Sequence, residues 1–427
     1  MTRSTTLFLV SIWSLLLATP LIAQDDATQQ EAAQKKIFLE TLRAEREEKL
    51  ERYFLRALTQ KRMNTANELF ESEQFAEARE SLEKLNPNRL NAYERALVYR
   101  LLAYAAIGQE DSAGAVQYFQ KMVEEQVLPI EDEASALFSI AQIQASLEQW
   151  AKVDATLEEW FRLVERPNGG AYYLLAISRY QQDRYDEALA PALEAIEVST
   201  RPEERWLQLV AALHLQQEDF DRAVPILEEL VTRFPKKQYW LQLSLIYGAR
   251  GDYEHSLRVQ QLAHAQGLLT ENDELRRLAR TYLFHELPYP AARVLERGLE
   301  EGRIESDEEV LELLGNSWIA AREYEKSIDP LEQAAKLSDD GRLFLRLGQV
   351  RVQREDWKEA TELIQKALEK GGLPDEGKAQ MLLGISFYGD GQSDSATTAF
   401  SRARSHESTR KEATAWLEHL ARQAQEG

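Results

Sequence analysis

A small residue recurs ten times along this chain in a nearly constant step: Ala66, Ala103, Ala141, Ala176, Ala211, Ser244, Ala279, Gly315, Gly348 and Gly384, at intervals of 33 to 38 residues. Twelve positions after each stand Ala78, Ala115, Val153, Ala188, Ala223, Ser256, Ala291, Ser327, Ala360 and Ala396, small in every copy but Val153. Nine positions after each the column is mostly aromatic: Phe75, Trp150, Tyr185, Phe220, Tyr253, Tyr324 and Trp357 fill seven of the ten places. One such column could arise in any alanine-rich helical chain; three in fixed register define a repeat. Leu343 to Gly372 shows its content. Leu343, Leu347, Gly348 and Val350 mark a first helix. Trp357, Ala360, Ile364 and Ala367 mark a second at spacings of three and four, the helical period. A small residue on each helix lets the two backbones approach closely. Such a hairpin cannot bury its apolar faces alone and needs a copy on either side.

These residues resemble the tetratricopeptide repeat, a 34-residue helix–turn–helix unit. Leu347-Gly348, Trp357-Lys358-Glu359-Ala360 and Ala367 follow its pattern, as do Leu314-Gly315 with Trp318 and Tyr324, and Leu383-Gly384 with Phe387. The resemblance covers roughly residues 60 to 405. It implies an all-α fold, a right-handed α-solenoid of about ten hairpins with N- and C-terminal capping helices, serving as a scaffold for protein–protein interaction.

The ends read differently. Arg3, the apolar run from Leu7 to Ala18 and the Pro20-Leu21-Ile22-Ala23 segment form a secretory signal peptide over residues 1–23, with cleavage expected after Ala23. An uncleaved anchor is the alternative; the run is short of the ~20 residues a span needs. With no cysteine in the chain, a lipoprotein is excluded. Export permits disulfides, so here stability rests on stacked helices. Residues 24–58 are expected to hold a polar, disordered start and a capping helix. That helix opens at the Thr28-Gln29-Gln30-Glu31 capping box and runs through Arg56. Counting heptads from Leu39 and Leu42 brings Arg46, Lys49 and Arg56 onto the seam, which excludes a coiled coil; the helix is expected to cover the first repeat. The solenoid occupies 59–405 and a second capping helix 406–427. Further capping boxes are expected at Thr270–Asp273 and Ser306–Glu309. The break at Arg166-Pro167-Asn168-Gly169-Gly170 reads as a turn between repeats rather than a hinge.

The net charge of −21 argues against non-specific binding to nucleic acid or to anionic lipid; acidic residues coat solvated helix faces. Chemistry is not in evidence. The six histidines, His214, His255, His264, His285, His406 and His419, show no metal-ligand spacing. Gly389 to Asp394 lacks the spacing and closing glutamate of a calcium loop. No phosphate-binding glycine loop or nucleophile elbow occurs. No enzyme, cofactor or metal is expected.

What remains is surface. In the tetratricopeptide family the first helix of each hairpin lines the concave face. Positions three before, one after and four after the small residue are then expected to point into a groove. These are read as selecting Tyr104, Tyr173, Ile177, Tyr180, Trp240, Leu245, Arg276, Arg280, Leu283 and Tyr388, joined at six before by Arg205 and Lys237. Tyr173, Tyr180, Arg205, Lys237, Trp240, Arg276 and Arg280 are the expected partner-binding groove, aromatic and locally basic, of the kind favoured as protein anchors.

Four stretches are similar to the exported repeat proteins that accompany TonB energy-transduction systems of Gram-negative bacteria. They are Tyr93 to Ala96, Pro235 to Trp240, Leu287 to Ala292, and Ala367 to Leu373. That resemblance implies a periplasmic scaffold, accessory to TonB-dependent uptake, with protein partners and no insertion in the membrane after cleavage. An assembly factor for outer-membrane proteins or polysaccharide export, and a small-molecule or peptidoglycan-binding module, are the alternatives.

Overall fold

The computed structural model describes residues 19–426, all of whose regular elements are helical. The expected signal peptide lies outside the described residues up to residue 18; Thr19 to Ala23 open the first helix. Ten hairpins follow that helix. They pair α2 (Ala57–Glu71) with α3 (Phe75–Glu83), α4 (Ala92–Gly108) with α5 (Ser112–Glu124), α6 (Ile130–Ser146) with α7 (Trp150–Leu163), α8 (Gly169–Tyr180) with α9 (Tyr185–Glu197), and α10 (Glu204–Gln216) with α11 (Phe220–Arg233). Then come α12 (Lys237–Ala249) with α13 (Tyr253–Ala265), α14 (Asn272–Phe284) with α15 (Pro288–Glu300), α16 (Glu308–Ala320) with α17 (Tyr324–Leu337), α18 (Arg342–Gln353) with α19 (Trp357–Lys370), and α20 (Glu376–Gly389) with α21 (Ser393–Arg404). The chain divides into two compact units, one ending at Leu230 and the other beginning at Val231. That division falls inside α11. The Arg166–Gly170 break is instead a connection within the first unit, where the Asn168 side chain caps α8 by accepting from the Ala171 amide at 2.9 Å.

The two small columns are the hairpin cores. Ala66, Ala103, Ala141, Ala176 and Ala279 are completely buried, and so are Ala78, Ala115, Val153, Ala188, Ala223, Ala291, Ser327, Ala360 and Ala396. Where serine replaces alanine in both columns, the pair satisfies itself across the helices: the Ser256 hydroxyl donates to the Ser244 carbonyl at 2.8 Å and the two hydroxyls lie 3.1 Å apart. Such a pairing avoids the cost of an unsatisfied buried hydroxyl.

A further column emerges seven positions after the first. Glu73, Glu110, Glu148, Asp183, Glu218, Glu286, Arg322 and Glu355 all hold φ between 54° and 63°, and Gly251 and Gly391 occupy the same place in the other two hairpins. Each hairpin thus turns through a left-handed residue, a conformation that costs a side-chain-bearing residue about 1 kcal/mol or more.

The N-terminal helix departs from expectation. α1 (Thr19–Glu51) already includes Gln24 to Gln30, so Thr28 is interior to it rather than its cap, and it stops at Glu51 before a turn leads into α2. It does not cover the first hairpin. Its C-terminal half packs against the start of α6, in the third hairpin. Leu39 is completely buried, Arg46 meets Glu133 at 3.0 Å with both side chains about 5% exposed or less, and Arg46 and Lys49 both donate to the Gln126 carbonyl. The turn that follows is stitched to α4. Glu94, fully buried, accepts from the Arg56 amide and guanidinium, the Thr59 hydroxyl at 2.7 Å and the Asn91 amide. Asn91 and Glu94 form a reciprocal capping box. One expected box shifts by one residue, Glu271 with Glu274 capping α14; the other is replaced by a single cap, Asp307 accepting from the Val310 amide at the start of α16. At the other end α22 (Arg410–Glu426) lays Trp416 flat on Phe400, with ring centres 5.2 Å apart. Among the described residues no helix is long and apolar enough to cross a membrane.

Candidate functional site

The face built by the first helices is the candidate surface. Successive first helices touch each other directly, α2 with α4, α6 with α8 and α18 with α20. The seven expected groove residues fall in both units.

In the first unit, Tyr173 and Arg205 come together. The Arg205 guanidinium sits over the Tyr173 ring at 5.0 Å, and the same ring stacks on Trp206, with ring centres 6.1 Å apart and planes 24° from parallel. Arg205 also pairs with Glu203 at 2.8 Å. Burial pushes the Tyr173 hydroxyl above its ordinary range. Tyr180 is not part of this group; its ring meets Tyr185 edge-on across the hairpin turn. Tyr104 is exposed and packs edge-on against buried Phe119.

In the second unit the structure corrects the reading of Trp240. It is only 7% exposed. It stands four residues before Ser244, not three, and one residue is a 100° turn of a helix. That step places it in the column of Leu207, Leu275 and Leu311, all buried core residues. Its indole nitrogen has no hydrogen-bond partner. Lys237 is likewise seven positions before Ser244, and it is committed to the next hairpin: its ammonium lies 2.6 Å from both Glu271 and Glu274. Burial pushes the Glu274 carboxyl up, but Lys237 and the amides of Glu271 and Thr270 outweigh it and hold the group below its ordinary range. Leu245, on the predicted face, is 70% exposed.

Arg276 and Arg280 both reach the start of the next first helix, and both are compensated. Arg276 contacts both Asp307 oxygens, at 2.6 and 2.7 Å, and Arg280 reaches Glu309 at 2.5 Å. Asp307 is held below its usual range: burial raises it, but the Val310 amide and Arg276 outweigh that. The expected basic groove is therefore a ladder of alternating sign, in which cations of one hairpin meet carboxylates of the next.

The ladder changes at α18. Arg342 lies near Glu308 and Glu312 at 4.0 and 3.8 Å and pairs with Asp340 at 2.9 Å. Half-buried Arg346, one turn on, has no carboxylate in range among the described residues. Its guanidinium donates to the Asn316 and Gln349 side-chain oxygens, each at 3.2 Å. These groups line a 320 Å³ cleft with Glu312, Leu343, Leu345 and Pro374. The sequence reading missed it. The positions that selected Arg276 and Arg280, three before and one after the small residue, select Glu312, Asn316, Leu345 and Gln349 when applied to Gly315 and Gly348, and the six-before position that selected Arg205 adds Arg342. Arg346, two before Gly348, lies outside the rule. Among the described residues no group of three histidine or acidic side chains could hold a metal.

The family model of the tetratricopeptide repeat matches residues 211–267 and 345–416. No curated protein matches the chain. Among solved structures, the MamA protein is 21% identical, with a TM-score of 0.35 over 41% of this chain and 94% of that one. A tetratricopeptide repeat protein from Parabacteroides merdae is 14% identical, with a TM-score of 0.34 over 69% of this chain and 99% of that one. YrrB, described as a TPR protein with an unusual peptide-binding site, is 14% identical, with a TM-score of 0.37 over 45% of this chain and 97% of that one.

Proposed function

We propose that this tetratricopeptide-repeat protein is a scaffold that presents the first-helix face of its second unit to a protein partner, whose carboxylate docks on Arg346. The observation that carries this is the partnering of that guanidinium. A half-buried arginine that donates to two neutral amide oxygens has no carboxylate within ion-pair distance among the described residues, while its neighbours Arg276, Arg280 and Arg342 each have one. A carboxylate would complete it through paired, charge-assisted hydrogen bonds.

The finer reading is an exported, periplasmic scaffold that serves a TonB-dependent uptake system. It is supported by the leader-like residues 1–23 and the four stretches similar to TonB-associated repeat proteins. The test is co-purification from the periplasm. Wild type is expected to recover TonB-system components. Arg346→Gln should reduce recovery at least several-fold, since truncating a central anchor typically costs ~2 kcal/mol, and Glu359→Lys on a second helix should leave it intact. Circular dichroism controls for folding. Equal recovery by Arg346→Gln would rule out this site. Recovery of no TonB component by wild type would overturn that assignment and put outer-membrane assembly first.

A further inference from the structure

A second cavity lies away from the first-helix face, where the end of α13, the connection to α14 and the end of α15 meet. It measures 210 Å³ and is lined by His264, Gly267, Leu269, Leu275, Val294, Arg297, Glu301 and Arg303, among others. Its walls are two kinds of surface. Leu269, Leu275 and Val294 are buried and supply an apolar side. The other side is a charge triad: Glu301 takes the Arg297 Nε at 2.7 Å on one oxygen and the Arg303 Nε at 3.0 Å on the other.

The charge count of the triad decides what it lacks. One carboxylate serves two guanidinium groups, so the cluster carries a net positive charge in a chain of net charge −21. Arg297 spends its Nε–H on Glu301, Arg303 is ion-paired with the same carboxylate, and both keep terminal N–H donors in a fixed fork. The imidazole of His264 senses the same field: burial first, then Arg297 and Arg303, pull it below its ordinary range. A cavity of this size, below that of a drug-sized ligand site, admits a body of only a few carbon atoms.

We propose that this cavity binds a carboxylate carried on a short apolar body. The carboxylate pairs with the terminal nitrogens of Arg297 and Arg303, and the apolar part lies on Leu269, Leu275 and Val294. A free branched-chain acid and a chain terminus ending in leucine share this chemistry.

Calorimetric titration of the full chain at constant ionic strength tests it, with the His264 ring proton shifts as a second readout. Sodium 4-methylpentanoate is expected to bind saturably and at least on the order of tenfold more tightly than acetate, because it removes several CH₂ and CH₃ groups from water. Inorganic phosphate should bind more weakly than 4-methylpentanoate. Arg303→Gln should weaken binding about tenfold through loss of a charge-assisted pair. Glu301→Gln should tighten it, because the competing carboxylate is gone; a merely structural role for the triad predicts no such gain. Gly-Leu should bind better than its C-terminal amide. Comparison of Gly-Leu with 4-methylpentanoate then identifies a chain terminus or a free acid as the better fit, and either result supports the site. Glu359→Lys, at an exposed position of α19 that lines neither cavity, should change nothing. The proposal is overturned if wild type gives no saturable response, if acetate or phosphate matches 4-methylpentanoate, if the dipeptide amide binds as well as the acid, or if Arg303→Gln and Glu301→Gln leave affinity unaltered.

Discussion

A β-carbon on Gly348 would lie 2.5 Å from Cγ1 of Ile364, the buried isoleucine one turn beyond Ala360 on the partner helix. The glycine is therefore a packing requirement: α18 and α19 approach so closely that hydrogen alone fits. Gly348→Leu should lower the denaturation midpoint by the equivalent of about 1–3 kcal/mol, read in urea melts. Trp357→Ala should cost less than the ~3–5 kcal/mol of a fully buried tryptophan, since Trp357 is half-buried and packs on Gly389 of the following hairpin. A wild-type midpoint for Gly348→Leu would contradict this packing.

Glu94 joins three elements through one carboxylate. Burial alone would push it up; the Arg56 guanidinium, the Thr59 hydroxyl and the amides of Arg56 and Asn91 outweigh that and hold it down at about 2, against an ordinary 4.5. A depressed carboxyl stabilises the fold above its unfolded-state value and loses that contribution as pH falls through the folded one. The stability gap between wild type and Glu94→Gln should be full above pH 4.5, about 3 kcal/mol if the group behaves as a buried ion pair, and should close as pH approaches 2. A gap that does not vary with pH would refute the assignment.

The docking of α1 rests on two buried side chains, Leu39 and the ion-paired Arg46. Leu39→Ala should cost about 2–5 kcal/mol of docking energy and speed amide exchange across residues 35–50. Ile37→Ala, at a position 64% exposed, should leave exchange unchanged. Equal protection in both variants would mean that the ion pairs alone hold the helix.

The hairpin turns make a prediction of opposite sign. Glu355 holds φ at 63°, so Glu355→Gly should stabilise by about 1 kcal/mol by removing the side-chain clash. Glu359→Gly, on the exposed helix a few residues later, should cost about 1 kcal/mol. Thermal melts distinguish the two; destabilisation by Glu355→Gly would show that the turn carries no strain.

The hairpin register was legible because two helices that cross closely need small residues at the crossing, and that demand repeats every turn of the stack. The outward face was legible only to within a residue. Trp240 and Lys237 were assigned one position off, and 100° of helix rotation separates core from surface. The ion-pair ladder was beyond periodicity, because Arg276 finds its carboxylate 31 residues later in Asp307. The landing place of α1 likewise depends on Leu39 and Arg46 meeting the third hairpin, a long-range contact that no local pattern encodes. The column of left-handed residues escaped notice because glutamate, unlike glycine, gives no sign of positive φ.

That column bears on how the chain acquires its structure. All five turns of the first unit pass through a residue with a side chain, Glu73, Glu110, Glu148, Asp183 and Glu218, whereas the second unit holds both glycine turns, Gly251 and Gly391. A hairpin closed by glycine reaches its turn without the conformational penalty and is the least costly to form alone. In a linear stack, order spreads from whichever repeat forms first to its neighbours. Nucleation should therefore begin at α12/α13 and α20/α21 and advance by templating, with each strained turn set only once an adjacent hairpin is there to receive it.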